Sequence, residues 1–195
     1  NADENLSVYR ILDGAGMTTV VQFYSNSEGY NLGIIHNGQM RPLPKTLDMA
    51  AVSNDGNTVI VGTKLFKDLW EIDLDQDPWI IKKIVDSSRF RSEYAGIHEV
   101  VSTVDNSGVY IVVNDFHDAF IYHYDFKTGK LSSVVEQPYS YIENLEVSNV
   151  GLIYDYSVSY QVFQTMIYNH DFHSMKIGAR LDGVYTTLDA VTDLP

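Results

Sequence analysis

The chain has 195 residues, enough to bury a real core in one domain, or in one domain with a small appendage. Its 13 Lys and Arg face 26 Asp and Glu, a net charge of −13 with no basic cluster to offset it, which disfavours nucleic acid and anionic membranes and suits a cation or a neutral glycan. Cysteine is absent, so disulfides, thiolate metal sites and cysteine nucleophiles are excluded, while the compartment stays open.

In chain order, the predicted elements fall into units of four strands. The first unit, residues 4–44, has strands at 6–12, 17–24, 30–35 and 39–43, with turns at Asp13-Gly14-Ala15-Gly16 and Asn37-Gly38. The second, residues 47–86, runs Ala51-Val52-Ser53, a turn at Asn54-Asp55-Gly56, then strands at 58–62, 69–73 and 79–85. A short turn of helix is expected around residues 91–95. The third unit, residues 97–136, repeats the order with Val100-Val101-Ser102, a turn at Asp105-Asn106-Ser107-Gly108, and strands at 109–113, 120–125 and 131–135. The fourth, residues 142–182, has Val147-Ser148-Asn149 and Gly151, then strands at 152–156, 166–171 and 175–177. Residues 183–195 read as a closing strand or a tail.

The last three units share a skeleton: a Val-Ser strand end, a turn with Gly, a β-branched or aromatic strand, and a strand closing on Asp73, Asp125 or Asp171. A period of about 40–50 residues is the signature of propeller blades. The expected fold is therefore all-β, a small β-propeller-like domain of four four-stranded antiparallel units. Radial repetition leaves only short, protected sheet edges. A β-sandwich or jelly roll is the rival architecture.

An acidic residue recurs where each unit begins. Glu4-Asn5-Leu6 matches Glu143-Asn144-Leu145, the second unit has Leu47-Asp48, the third has Ile97-His98-Glu99, and Thr187-Leu188-Asp189 echoes Thr46-Leu47-Asp48. The first strand of a propeller blade lines the central channel, so Glu4, Asp48, Glu99 and Glu143 are expected to converge, with Asp189 joining or replacing one of them. Carboxylates that meet at short range repel unless a cation or protons intervene, and calcium suits an oxygen-only set. The competing expectation is that they splay into solvent. A second set, Asp73, Asp75 and Asp77, has the alternating spacing that opens a calcium loop. Pro78 and Ile84 stand where such a loop needs Gly and Glu, so a solvated hairpin turn competes. Asn114-Asp115-Phe116-His117-Asp118 reads in the same way as a polar loop between strands, with a surface cation site as the alternative.

No nucleophile elbow, phosphate-cradling Gly loop or zinc-protease helix is present. His170-Asp171-Phe172-His173 invites a metal reading but falls at a hairpin turn. Fourteen tyrosines form the other signal. Tyr139 and Tyr141 flank a serine, and strand alternation puts Tyr154, Tyr156 and Tyr160 on one face. Exposed tyrosines favour receptor recognition, of glycan or protein, because they give rigid contact area at low entropy cost; buried sheet packing is the competing explanation.

An acidic, cysteine-free, tyrosine-rich β chain with these repeats and converging carboxylates resembles the distal part of the spike protein of marine membrane-containing icosahedral phages, the corticovirus type. The resemblance implies a calcium-stabilised, propeller-like spike tip at the virion surface that binds a bacterial cell-surface receptor, such as a glycan, and catalyses nothing. It also implies attachment to other virion proteins through an N-terminal portion missing here, in keeping with a chain that starts at Asn1 rather than Met. No apolar run nears the roughly 20 residues of a membrane span, so no membrane insertion is expected. A secreted lectin-like propeller is the alternative reading, and a hydrolase with an acidic channel site is the third.

Overall fold

The computed structural model describes residues 7–26, 29–44, 47–63, 68–90, 95–149, 151–159, 162–169 and 173–181. Among them the chain forms four antiparallel four-stranded meanders. The first comprises β1 (Ser7–Ala15), β2 (Thr18–Ser25), β3 (Gly29–His36) and β4 (Gln39–Pro42). The second comprises β5 (Met49–Val52), β6 (Thr58–Thr63), β7 (Asp68–Asp73) and β8 (Ile80–Val85). The third comprises β9 (Gly96–Ser102), β10 (Gly108–Asn114), β11 (Asp118–Asp125) and β12 (Leu131–Pro138), and the fourth β13 (Ile142–Ser148), β14 (Gly151–Ser159), β15 (Val162–Asn169) and β16 (His173–Leu181). The helical element seen is a single 3-10 turn at Ser87–Arg89; of the helical turn expected at 91–95, residues 91–94 lie outside the described residues.

First strands pack on first strands: β1 meets β5, β5 meets β9, and β9 meets β13. The sheets are thus the blades of a four-bladed propeller, with their first strands innermost. Local chemistry sets the hairpins. Asn37 and Gly38 both take positive φ, 50° and 75°, the conformation of the two-residue turn that matches the twist of paired strands. At the β5–β6 turn Gly56 (φ 76°) lies so close to the first blade that a Cβ there would sit 2.6 Å from the Ala15 carbonyl oxygen.

Three apolar clusters fill the gaps between adjacent blades. Val20, Leu32 and Ile34 meet Val52, Val59, Val61 and Ile72 between the first two blades. Ile60 and Leu69 meet Ile97, Ile111, Val113 and Phe120 between the second and third. Val112 and Ile121 meet Ile142, Leu152 and Tyr154 between the third and fourth. The middle blades are therefore buried on both faces, which explains why β6 and β10 carry unbroken apolar runs, Val59-Ile60-Val61 and Ile111-Val112-Val113, rather than alternating ones. Each such side chain contributes about 1.5–3 kcal/mol on burial. The outermost β8 starts with four exposed residues, as a solvent-facing edge should.

Polar side chains join the blades where apolar packing stops. The Thr18 hydroxyl donates to the Gly56 carbonyl (2.5 Å). The Asn54 N–H donates to the Asn106 side-chain oxygen (2.7 Å) and the Asn54 amide to the Val104 carbonyl (2.8 Å). The Asn114 amide donates to the Ile142 carbonyl (2.8 Å) and its oxygen accepts the Ile142 N–H (2.9 Å), so one side chain mimics a strand partner for β13.

Candidate functional site

All four innermost strands line one cavity of about 480 Å³ along the propeller axis. Its charged lining is Arg10 and Asp13 from β1, Asp48 at the start of β5, Glu99 from β9 and Glu143 from β13, with His98 beside Glu99. Three of the expected carboxylates, Asp48, Glu99 and Glu143, thus share one channel. Glu4 and Asp189 lie outside the described residues. The first blade's place in the ring is taken by Arg10 and Asp13, which counting from the unit start does not find.

The reason is bulging. β1 slips register between Val8 and Arg10 and again between Ile11 and Asp13, β9 at His98, and β13 between Glu143 and Glu146. Each bulge redirects a side chain from an edge strand, a common device next to binding sites. Two of the channel carboxylates also hold neighbouring blades together. Asp13 Oδ2 accepts the Val52 N–H (2.7 Å), and Glu99 Oε2 accepts the Leu145 N–H (2.9 Å). Edge strands leave such N–H groups without a ladder partner, and a carboxylate satisfies them more strongly than a neutral acceptor.

Asp73, Asp75 and Asp77 sit elsewhere. Asp73 ends β7 and the other two follow it, on the face opposite to the one where β5 starts. Asp73 Oδ1 accepts the Asp75 N–H (3.0 Å) and Asp77 pairs with Arg41 at 3.4 Å, the pattern of a solvated hairpin turn. Among the described residues no group of three or more His, Cys, Asp and Glu side chains is arranged to hold a metal ion.

A second recess, of about 340 Å³, opens on the face where the innermost strands begin. Because strands alternate in direction, the β10–β11 hairpin and the connection from β12 to β13 meet on that face. They supply Asp115, Phe116 and His117 on one side and Tyr139, Ser140 and Tyr141 on the other, with Ser157 of β14 behind. Asp115 Oδ1 shapes the first loop by accepting the N–H groups of His117 and Asp118, both at 2.7 Å. Ser157 anchors the second: its hydroxyl accepts the Tyr141 N–H (2.9 Å), and its carbonyl accepts the Ser140 hydroxyl (2.8 Å). Tyr141 links the recess to the channel by touching His98, which lines the channel. Its hydroxyl lies 2.8 Å from His98 Nδ1 and the rings meet edge to face at 5.0 Å. Burial, reinforced by the negative charge of Glu143 and opposed by a hydrogen bond from Asn114, pushes the Tyr141 phenol above its usual range, so it keeps its proton at neutral pH.

The five predicted receptor-contacting tyrosines part company. Tyr139 and Tyr141 line the recess, and Tyr139 is 88% exposed. Tyr154 is fully buried between the third and fourth blades, so its assignment as a contact residue is corrected: sheet packing claims the ring. Tyr156 packs against the same core and donates to Gln164 (2.7 Å), and Tyr160 lies outside the described residues. Phe116 and Ser157 were not among the expected contact residues; an aromatic residue inside the polar loop 114–118 was the available signal for Phe116.

One hydroxyl–imidazole pair invites a catalytic reading. Thr18 Oγ1 lies 2.7 Å from His36 Nδ1, and Asn37 Nδ2 lies 2.8 Å from His36 Nε2. The amide donates to Nε2, which leaves the ring proton on Nδ1, where it is donated to Thr18 Oγ1. The imidazole therefore cannot take the threonine's proton, and Thr18 is buried.

No family model and no curated protein matches the sequence. Solved structures match its fold. The β-propeller domain of the Trilobed protease from Pyrococcus furiosus aligns with a TM-score of 0.62 at 14% identity, over 91% of this chain and 58% of that one. TolB from Acinetobacter baumannii aligns at 0.63 and 12%, over 90% and 44%, and the Pyrococcus horikoshii acylaminoacyl peptidase at 0.63 and 13%, over 88% and 32%. This chain spans roughly a third to three-fifths of the length of these proteins. At such identities the likeness carries the propeller fold and nothing about activity.

Proposed function

We propose that this propeller is a non-catalytic recognition domain that binds its partner on the face where the innermost strands begin. The observation that carries the reading is the recess there, where Phe116 and Tyr139 stand out in solvent beside an acidic channel. Exposed aromatic rings in a shaped recess are what a binding surface needs and what a solvated loop avoids. The narrower form of the proposal is attachment of a virion spike to a bacterial surface, in line with the acidic field and the family resemblance. A secreted lectin-like propeller would use the same recess. Purified domain, added to bacteria before challenge with a membrane-containing icosahedral phage of the marine type, is expected to adhere to the cells and to reduce phage adsorption. Adhesion without any block at saturation would leave recognition standing and remove the spike; no adhesion to any cell tested would remove both.

Calcium belongs to the same proposal as a weak ligand of the channel. Four carboxylates against one guanidinium favour a cation there, but no three His, Cys, Asp or Glu side chains among the described residues are arranged around one point, so water would fill most of its shell. A site with so few direct protein ligands is expected to bind calcium at the weak end of the range for protein sites, about 10⁻⁴–10⁻³ M. Calcium at millimolar concentration is expected to raise the melting midpoint, followed through Trp70 and Trp79, with no further fall on chelation of trace metal. A midpoint that collapses on chelating trace calcium would show a tight site instead.

A further inference from the structure

We propose that the recess between Phe116, Tyr139 and Tyr141 is a carbohydrate subsite that seats one uncharged pyranose ring, its apolar face on the aromatic side chains and its hydroxyls on the polar rim. The assignment rests on the recognition role proposed above and names its ligand class. Three features of the recess converge on it.

The first is the exposure of the rings. Phe116 is 80% and Tyr139 88% exposed, although both are large aromatic side chains. Tyr139 also takes a left-handed backbone, φ 52°, which costs a residue with a Cβ about 1–2 kcal/mol and is kept where function or context demands it. The second is preorganisation. Both loops are fixed by their own hydrogen bonds before any ligand arrives: Ser140 N–H to the His117 carbonyl (3.2 Å) ties one loop to the other, Tyr139 N–H reaches Asp118 Oδ1 (3.3 Å), and the Ser157 hydroxyl holds Tyr141. A binder whose loops are already ordered loses little entropy on contact.

The third is the balance of the lining. Three aromatic residues alternate with Asp115, His117, Ser140 and Ser157, so the recess offers both stacking area and hydrogen-bonding groups. An anionic sugar meets Asp115 and the chain's net charge of −13, with no Lys or Arg in the lining to receive it. A volume of about 340 Å³ lies at the small end of ligand pockets, sized for a ring or two rather than for a protein loop. A pyranose, with one C–H face and a hydroxyl periphery, matches both halves of the lining.

The test uses saturation-transfer NMR on the whole chain with three uncharged probes, maltotriose, mannotriose and N,N′,N″-triacetylchitotriose, and trigalacturonate as the anionic control. At least one uncharged probe is expected to receive magnetisation, strongest at the axial C–H protons of one ring, and trigalacturonate none. Tyr139→Ala and Phe116→Ala are each expected to weaken that binding about tenfold, the scale of one lost stacking contact, with the melting midpoint unmoved because both rings are exposed. Transfer to none of the uncharged probes, preferential transfer to trigalacturonate, or transfer that survives both substitutions would overturn the subsite. If the domain still adheres to bacteria in that case, recognition stands and only the carbohydrate assignment fails.

Discussion

Tyr139 and Tyr154 carry the same side chain to opposite ends of the exposure scale, and the difference lies in what surrounds each ring rather than in the residue. Tyr139 closes β12 on a left-handed backbone and leaves its ring in water. Tyr154 sits in the middle of β14, opposite the β13 bulge, and fills the space between the third and fourth blades. Tyr154→Ala is therefore expected to cost about 3–5 kcal/mol of folding stability in urea denaturation, the range for emptying an aromatic core site. A loss below about 1 kcal/mol would mean that the third and fourth blades do not pack as described. The tyrosine clusters were legible in the sequence, but their sorting was not, because a period of two says which residues share a face and not whether another blade covers that face.

At the scale of elements, the propeller is held by side chains that reach from one innermost or second strand to the next blade. Asn114 is the sharpest case: it is 8% exposed and spends both ends of its amide on the backbone of Ile142. Asn114→Ala leaves a buried N–H and C=O of β13 unsatisfied, for an expected loss of about 2–5 kcal/mol. Amide hydrogen exchange should show the fourth blade losing protection ahead of the first. Equal loss in all four blades would indicate that the junction is not a local hinge of stability. The same logic explains the channel. Its carboxylates were legible as a recurring acidic position, whereas Arg10 and Asp13 were hidden by two bulges in β1 that no count of residues reveals.

For the whole molecule, acid is the informative perturbation. Asp55 is held below its ordinary value of 3.8 by the Ser53 hydroxyl and then the Asn57 N–H, Asp105 by the hydroxyl and N–H of Ser107, and Asp125 by the N–H and hydroxyl of Thr128. All three lie in turns on the face away from the recess. A folded-state value below the unfolded one means that the unfolded chain binds more protons, so this stabilisation is complete above the unfolded value near 3.8 and is lost as pH falls through the folded values. The urea midpoint is expected to hold level down to about pH 5 and to fall below about pH 4, and the triple change D55N, D105N and D125N should flatten that fall. A midpoint that stays level through this range would show that the turn carboxylates do not carry the acid response. The sequence by itself pointed to about four repeated four-stranded units and the turns within them, because strand periodicity and turn chemistry are local; that the units pack as four blades and not as a sandwich was decided by contacts between their first strands. Only the tertiary structure decided which face of each strand is covered, how bulges turn Arg10, Asp13 and His98 toward the axis, and that loops distant in sequence enclose the Phe116–Tyr139 recess. Those are properties of packing between blades, and no single strand contains them.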